Sequence, residues 1–577
     1  MQVILDFGRR RVFHRPLQII HAAHPDQVPA ALDALEAALA AGRYVAGWMA
    51  YELGYALEPR LAPAMPDVPG PLIQLGVYEG ISDGAQTLAA GRSWCGPLRL
   101  EWDGAAYGAR FAAVKDYIAA GDIYQANLSF RARFGFLGDP LALYEHLRAE
   151  SGAGFCGYAD DGHRQIASIS PELFFALKPD GKLTARPMKG TLARGQGDAR
   201  ARAALAASQK DRAENLMIVD LIRNDLGRVA QTGSVAVNDL FAVETYPTLH
   251  TMVSTVTAQR RASCGPADLL RALFPCGSVT GAPKIRAMEV LRELETSPRG
   301  VYCGALGYFA PAPASSFSAM FNVSIRTLTI NGMQGELGIG GGVVQDSRQD
   351  GEYDECLLKA RFFEGCRRPL GLIETLRWDG MFTRLDAHLA RMAASARVFE
   401  LAFDAAAARA ALEKAVAGHE GARRVRLALD ENGGHAVTVQ ALAPNPPHWC
   451  FALSPRAIHS ADPLLRHKTD WRELYDGEAA RLKDELGADE AVFCNERGEV
   501  CEGARSNIFV ARGGTLLTPP LASGLLPGVL RAQLLAEGRA REAVLTPDDL
   551  KGEVWFGNSL RGLIKGVPVC PPRGRAR

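Results

Sequence analysis

The sequence has almost no excess of charge: 65 lysines and arginines stand against 64 aspartates and glutamates, for a net charge of +1 at pH 7. Proteins that bind nucleic acid need clustered positive charge, so no nucleic-acid partner is expected. No run of roughly 18 or more apolar residues, the length of a membrane helix, occurs. Residues 1–15 lack the apolar core of a signal peptide. We therefore expect a cytoplasmic protein with no membrane partner.

Cysteine is sparse as well. The 11 cysteines are dispersed, odd in number and free of any C-x-x-C pair, which argues against a disulfide framework and against a zinc site. Any metal is therefore expected on oxygen ligands. The composition is otherwise ordinary, with 47% hydrophobic and 22% charged residues, and predicts a chain that folds and buries a core.

The 577 residues exceed the roughly 250 to 300 residues that one hydrophobic core supports. Patterns of helices, such as residues 199–226, and of strands, such as residues 321–330, alternate through a signature core at 107–363 and indicate an α+β domain. Hydrophobic periodicity stops near residue 368, where glycine and proline interrupt the pattern. The predicted domains are 1–368 and a smaller α/β domain at 369–577.

Acidic residues recur at the spacing that places side chains on one face of a helix. Asp211 and Glu214 are separated by three positions, as are Glu352 and Glu355. Each pair alone is typical of a solvated helix face. Four carboxylates brought together would instead repel unless a hard cation neutralised them, and Mg²⁺ prefers such oxygen ligands.

Several long motifs decide between these interpretations. In chain order they are Gly121–Leu128, Ser170–Glu172, Arg186–Thr191, Asp220–Arg228, Gly277–Lys284 and Gly340–Gly342. Together they resemble the chorismate-utilising enzymes. The resemblance implies a β-sandwich core wrapped by helices, which holds chorismate above Mg²⁺. It also implies Glu214 and Glu355 as direct metal ligands, with Asp211 and Glu352 acting through water.

The same resemblance implies a site for the carboxylates of chorismate. Arg326 would bind one of them, because the guanidinium fork matches a carboxylate. The other expected substrate-binding residues are Lys284, His250, Thr280, Gly340, Gly341 and Gly342. For His250 a purely structural role is the alternative.

Lys189 lies in the motif that distinguishes members of this family. Anthranilate synthases resemble it but have alanine there, whereas aminodeoxychorismate synthases have lysine, used as a nucleophile on the ring. Isochorismate and salicylate synthases also have lysine, so Lys189 alone does not identify the product. The run Lys210–Met217 resembles the aminodeoxychorismate form. Glu172 matches the general acid of the family, and Lys189 must be uncharged to attack.

The second domain resembles the fold-type IV pyridoxal-phosphate enzymes, which include class IV aminotransferases and aminodeoxychorismate lyases. The motifs are Leu385–Met392, His467–Thr469, Glu502–Phe509, Leu526–Val529 and Asn558–Gly562. By this resemblance Lys468 forms the Schiff base with pyridoxal 5'-phosphate and Glu502 pairs with the pyridinium nitrogen. Arg391, Val529 and Ser559 would bind the phosphate.

Together the two domains predict synthesis of 4-aminobenzoate from chorismate by amination and then elimination of pyruvate. Two alternatives stay open: an isochorismate- or anthranilate-type synthase fused to an amino-acid aminotransferase, and a second domain trimmed to inactivity. A third, a non-catalytic protein that only binds chorismate and pyridoxal phosphate, is disfavoured by Lys189, Glu172 and the four acids. No G-x-C-x-G turn of a glutaminase surrounds any cysteine. Ammonia is therefore expected in free form or from a separate glutamine amidotransferase subunit. Fold-type IV enzymes are commonly dimers, so a homodimer is possible.

Overall fold

The computed structural model describes residues 1–82, 91–195, 197–245, 249–312, 317–365 and 367–569. The chain divides into two compact units. The first comprises Met1–Ala89, Pro97–Phe136 and Pro140–Arg367, and the second comprises Ala90–Gly96, Leu137–Asp139 and Arg368–Arg577. Cys366, which belongs to the expected linker, lies outside the described residues. We propose domain limits of 1–368 and 369–577, with the two short earlier segments counted with the second unit.

Helices of residues 1–367 carry apolar side chains at helical spacing. In the first of them Val28, Leu32, Leu35 and Leu39 all face the core. The helices are α1 (Val28–Ala40), α2 (Leu53–Leu57), α3 (Gly104–Ala119), α4 (Pro140–Ser151), α5 (Asp198–Ala207), α6 (Gln209–Gly227), α7 (Pro266–Leu273), α8 (Lys284–Leu294) and α9 (Gln349–Glu364).

The strands of the same region form two antiparallel sheets. They are β1 (Gln2–Phe7), β2 (Arg9–Phe13), β3 (Gln18–Ala22), β4 (Tyr44–Met49), β5 (Ile73–Tyr78), β6 (Ser93–Cys95), β7 (Arg99–Leu100), β8 (Gln125–Gly138), β9 (Phe155–Asp160), β10 (Gln165–Ser170), β11 (Leu173–Leu177), β12 (Lys182–Arg186), β13 (Met188–Ala193), β14 (Ala236–Thr245), β15 (Leu249–Gln259), β16 (Gly281–Ala282), β17 (Ala305–Pro311), β18 (Phe317–Val323), β19 (Thr327–Asn331) and β20 (Gln334–Val343). Of these, β6 and the end of β8 fall within the second unit.

Strand order explains how distant motifs meet in the first unit. One sheet runs β16-β8-β20-β19-β10-β9-β1-β2, and the other runs β13-β15-β12-β11-β18-β17-β4-β5-β3 with β14 beside β15. The glycine run of β20 therefore pairs with β8, and the Lys189 strand pairs with β15. The α+β class expected from the sequence is confirmed.

Two predicted elements of the first unit are each divided in two. The helix expected at 199–226 breaks at Ser208, whose hydroxyl accepts a hydrogen bond from the backbone N–H of Asp211 at 3.2 Å and so caps α6. The strand expected at 321–330 breaks before β19, because Arg326 has a left-handed φ of 49°. Both breaks lie beside expected site residues.

The second unit contains a three-stranded sheet and a larger mixed sheet. Its strands are β21 (Leu372–Trp378), β22 (Arg423–Leu429), β23 (His435–Ala441), β24 (Trp449–Leu453), β25 (Glu490–Cys494), β26 (Val500–Gly503), β27 (Asn507–Arg512), β28 (Thr515–Thr518), β29 (Ala540–Glu542), β30 (Glu553–Asn558) and β31 (Gly562–Pro568). Its helices are α10 (Leu385–Val398), α11 (Ala405–Val416), α12 (Glu473–Leu486) and α13 (Val529–Ala536).

The larger sheet has the order β26-β25-β24-β31-β30-β27-β28-β29, and β24 pairs in parallel with both β25 and β31. In β22 the alternate residues Val425, Leu427 and Leu429 are buried, as expected for a strand with one covered face. In the described part of the chain no helix is both long and apolar enough to cross a membrane.

Candidate active sites

A cavity of about 210 Å³ in the first unit gathers most of the expected residues. The metal and catalytic candidates that line it are Glu172, Lys189, Asp211, Glu214, Glu352 and Glu355, and the substrate candidates are Arg326, Gly340 and Gly342. They come from the turn between β10 and β11, from β13, α6, α9 and β20, and from the turn before β19, so the fold brings together residues that are distant in the sequence.

Glu172 has the properties of a proton donor. It is 3% exposed, and its Oε1 has no hydrogen-bond partner among the residues that the structure describes. Burial raises the pKa of this carboxyl to about 7, although Ser278 and Lys189 favour its ionised form. A carboxyl with such a pKa keeps its proton near neutral pH and can release it to a leaving group.

Lys189 has the properties of a nucleophile. Desolvation lowers the pKa of the Lys189 amine, and the nearby positive charge of Lys359 lowers it further. The carboxylate of Glu214 acts in the opposite direction and raises this pKa. Gly342 lies next to this amine. A Cβ atom at position 342 would lie only 3.0 Å from Lys189 Nζ and 2.9 Å from Gln125 Nε2. The glycine therefore leaves room for the amine, and a less charged amine is better suited to attack.

Three of the four carboxylates on α6 and α9 are paired with lysines. Lys210 Nζ lies 3.8 Å from Glu214 Oε1 and 3.7 Å from Glu352 Oε1. Lys359 Nζ lies 2.9 Å from Glu355 Oε1. Among the described residues no three histidines, cysteines or acids are close enough to hold one ion.

The chemistry of this acidic cluster nevertheless suits Mg²⁺, since it offers carboxylate oxygens from two helices around a cavity. Burial raises the pKa of Glu214, whereas Lys359 and Lys189 outweigh the burial of Glu355 and lower its pKa. Lys210 and Lys359 were not among the predicted site residues. Their i,i+4 spacing from Glu214 and Glu355 is the signal that could have identified them.

Four expected substrate-binding residues do not line the cavity. Lys284 Nζ lies 2.6 Å from Asp225 Oδ2 and donates to the carbonyl of Leu273, so its ammonium group is already paired. The hydroxyl of Thr280 donates within its own turn, to the carbonyl of Gly277 at 3.0 Å. Gly341 is the third.

The fourth is His250, which forms one hydrogen bond, to Thr245, and lies near Asp198, away from the cavity. Its Nδ1 lies 2.9 Å from Thr245 Oγ1 and its Nε2 lies 3.3 Å from Asp198 Oδ1. The next residue of β15, Thr251, lines the cavity instead, because successive side chains of a strand point to opposite faces. Only the sheet register distinguishes these neighbours.

In the second unit, Lys468 follows a short 3-10 helix at Pro463–Arg466. Its carbonyl accepts a hydrogen bond from the N–H of Ile373 at 2.9 Å, which fixes the backbone. Desolvation, together with Arg391 and Arg472, lowers the pKa of the Lys468 amine to about 8. The amine can therefore exchange protons near neutral pH.

Glu502 is 6% exposed and held by two donors. The hydroxyl of Tyr475 donates to Oε1 at 2.7 Å, and the N–H of Leu526 donates to Oε2 at 3.0 Å. Burial raises the pKa of Glu502, and both donors oppose that rise. Tyr475, for which no role was predicted, is thus part of this site.

Arg391 of α10 donates twice to Glu374 and once to the carbonyl of Pro527. Pro527 leads into the N-terminus of α13 at Val529, where free N–H groups can bind an anion. Ser559, the third expected phosphate residue, is linked to Glu374 through His388. Arg391 and Val529 also line an opening of about 1060 Å³, which Lys468 and Glu502 do not line.

Comparisons with known proteins separate the chain into two regions. Residues 85–365 match the chorismate binding enzyme family and residues 371–567 match the amino-transferase class IV family. Aminodeoxychorismate synthase component 1 of Salmonella typhimurium is 46% identical over 254 residues, which cover 43% of this chain and 54% of the relative. The chain thus spans about half the length of the curated relatives it matches.

Two solved structures are also similar. Anthranilate synthase component I from Streptococcus pneumoniae is 25% identical with a TM-score of 0.50, covering 63% of this chain and 89% of that chain. A protein from Mesorhizobium loti described as an amino-acid aminotransferase is 44% identical with a TM-score of 0.33, covering 35% of this chain and 100% of that chain. The chain thus combines a region that matches the chorismate binding enzymes, residues 85–365, with a region that matches the class IV amino-transferases, residues 371–567.

Proposed function

We propose that the chain makes 4-aminobenzoate in two steps, amination of chorismate to 4-amino-4-deoxychorismate in the first unit and elimination of pyruvate in the second. The observation that carries the proposal is Lys189 beside Glu172 in one cavity, with pKa values displaced toward a neutral amine and a neutral acid. The similarity to aminodeoxychorismate synthases supports the choice of product.

In the first step Lys189 attacks C2 of the ring while Glu172 protonates the departing 4-hydroxyl. The ring double bonds shift, ammonia then adds at C4, and the amine of Lys189 leaves. Arg326, together with the backbone of Gly340 and Gly342, would hold the carboxylates of the substrate. All three residues line the cavity, which supports this assignment.

Mg²⁺ would be held by Glu214 and Glu355, with Asp211 and Glu352 in support. It would supply positive charge that stabilises the negative charge of the leaving hydroxyl and of the substrate. Because Lys210 contacts two of these acids, we propose that its ammonium group gives way when the ion binds.

In the second unit pyridoxal 5'-phosphate, when bound, supplies the electron sink for a carbanion. Lys468 would attach the cofactor and, once released, move the α-proton. Glu502, oriented by Tyr475 and the N–H of Leu526, would keep a proton on the pyridine nitrogen. The buried, two-donor setting of this carboxyl suits that task.

Ammonia would come from solution or from a separate glutamine amidotransferase. The decisive experiment incubates the pure chain with chorismate, Mg²⁺ and ammonium and identifies the products. We expect 4-aminobenzoate and pyruvate. Formation of anthranilate or isochorismate without 4-aminobenzoate would overturn the proposal. Accumulation of 4-amino-4-deoxychorismate would mean that the chain carries out only the first step.

Two variants assign the steps. Lys189→Ala should stop consumption of chorismate while supplied 4-amino-4-deoxychorismate is still converted. Lys468→Ala should have the opposite effect and should lose the visible absorbance of bound cofactor. Retention of 4-aminobenzoate formation in the Lys468 variant would exclude a catalytic role for that lysine. Amino transfer from an added amino acid in the wild type, without lyase activity, would favour the aminotransferase alternative.

A further inference from the structure

A buried chain of hydrogen bonds joins two of the residues expected to bind the cofactor phosphate. Glu374 accepts from Arg391 Nε at 2.8 Å and from Nη2 at 2.7 Å. His388 Nδ1 lies 2.7 Å from Glu374 Oε2, and His388 Nε2 lies 2.8 Å from Ser559 Oγ. Glu374 and His388 are each 1% exposed. Arg391 and Ser559 are thus connected through Glu374 and His388.

The ionisation of Glu374 determines where the histidine carries its proton. Burial alone would raise the pKa of Glu374, but Arg391 and His388 outweigh it and lower that pKa to about 2. An ionised carboxylate only accepts hydrogen bonds. The hydrogen shared with Glu374 must therefore be on His388 Nδ1.

This placement constrains the serine. A neutral imidazole carries one hydrogen, so its Nε2 is then an acceptor and must receive the hydroxyl hydrogen of Ser559. A hydroxyl has a single hydrogen to donate. With a neutral His388, Ser559 therefore has no hydrogen left for any other acceptor.

A bound phosphate conflicts with that arrangement. A phosphate dianion can only accept hydrogen bonds, so it would compete with His388 Nε2 for the one hydrogen of Ser559. Ser559 can donate to it only if His388 Nε2 carries a hydrogen as well. An imidazolium donates from both ring nitrogens. Ser559 could then accept from His388 and donate to the phosphate.

We propose that His388 is a positioning residue that takes up one proton from solvent when the cofactor phosphate binds, and so turns the hydroxyl of Ser559 toward it. The inference rests on the proposed cofactor role of this unit. Glu374 on β21 and Arg391 on the same helix are the charged groups of the cluster, and Lys468 interacts with both of them. The added positive charge would face the incoming negative phosphate.

The test must separate this proton from those exchanged at Lys468. Pyridoxine 5'-phosphate serves as the probe, because it carries the phosphate but lacks the aldehyde that reacts with the lysine. Calorimetric titration of the full chain in buffers of different ionisation enthalpy gives the number of protons taken up. We expect the wild type to take up about one proton more than Ser559→Ala, which keeps His388 but removes the hydroxyl. We expect no such difference between the two proteins with pyridoxine, which has no phosphate.

A second variant tests the histidine directly. His388→Gln should lose the same proton uptake and bind pyridoxine 5'-phosphate roughly tenfold more weakly, because a charge-assisted hydrogen-bond chain is lost. Equal proton uptake in the wild type and Ser559→Ala, with binding intact, would overturn the inference and leave the cofactor role standing. Failure of the wild type to bind either pyridoxal 5'-phosphate or the probe would overturn both.

Discussion

Replacement of Gly342 by alanine should impair the first reaction without unfolding the chain. The added Cβ would lie 2.9 Å from Gln125 Nε2 and 3.0 Å from Lys189 Nζ, closer than the 3.4 Å at which ordinary contacts begin. Both atoms are the far ends of side chains, so they can move by about 0.4 to 0.5 Å to relieve the contact. The thermal unfolding temperature should therefore change little.

The position of the nucleophile should change more. A misplacement of about 1 Å can cost roughly a hundredfold in rate, so a shift of several tenths of an ångström predicts a loss of about five- to tenfold. The assay is the initial rate of chorismate consumption with saturating Mg²⁺ and ammonium. Conversion of supplied 4-amino-4-deoxychorismate by the second unit should be unaffected.

Gly341 provides the matched control. A Cβ there would lie 3.5 Å from Cys356 Sγ, an ordinary contact, and 3.7 Å from Lys359 Nζ. Gly341→Ala should therefore keep its rate within about twofold. A wild-type rate in Gly342→Ala, or an equal loss in both variants, would refute the view that Gly342 makes room for the amine of Lys189.

Three further predictions concern charge. Lys210→Met should bind Mg²⁺ severalfold more tightly by calorimetry, because it removes the ammonium group that contacts Glu214 and Glu352, whereas Lys210→Arg should not. The pKa of Glu172 is raised to about 7, so kcat/KM of the first reaction should fall above pH 7 as this carboxyl loses its proton. The variant Glu172→Gln should be slow at every pH, because it has no acidic proton to give. Burial also raises the pKa of Glu490 from 4.5 to about 7. Between these two pH values the folded state keeps a proton that the unfolded state releases, so the stability of the fold falls as the pH rises from 4.5 to 7. At pH 8, Glu490→Gln should raise the unfolding free energy by about 1 to 3 kcal/mol, and a thermal melt identical to wild type would contradict this.

The sequence was sufficient for the residues that local motifs define. Glu172 and Lys189 lie in motifs that resemble those of a known family, and the i,i+3 spacing of the acids predicts that each pair shares a helix face, so the presence of all six residues in one cavity could be predicted. Even here the break of the helix at Ser208 was missed, since a serine inside a helical pattern is also compatible with a continuous helix.

Residues whose role depends on register or on a distant partner could not be predicted. His250 and Thr251 are adjacent, and a strand presents only one of them to the cavity. The ammonium group of Lys284 pairs with Asp225, which lies on another helix and has no local sequence signal. Likewise, the link from Glu374 through His388 to Ser559 joins β21, α10 and the end of β30.

The two lysines proposed to react both have a lowered pKa, and desolvation is the largest cause in each case, but the charges around them differ. Around Lys189 the nearest charges are mostly carboxylates, which favour the ammonium form, so desolvation by the cavity must outweigh them. Around Lys468 desolvation acts together with Arg391 and Arg472, and Glu374 and Glu502 oppose them. Arg472 follows Lys468 by four residues, whereas Arg391 comes from α10. The charges around Lys189 come mainly from α6 and α9, and those around Lys468 come from α10, β21, β26 and the residue before α12. In both sites the sequence shows the lysine and its motif, and only the fold brings these charges around it.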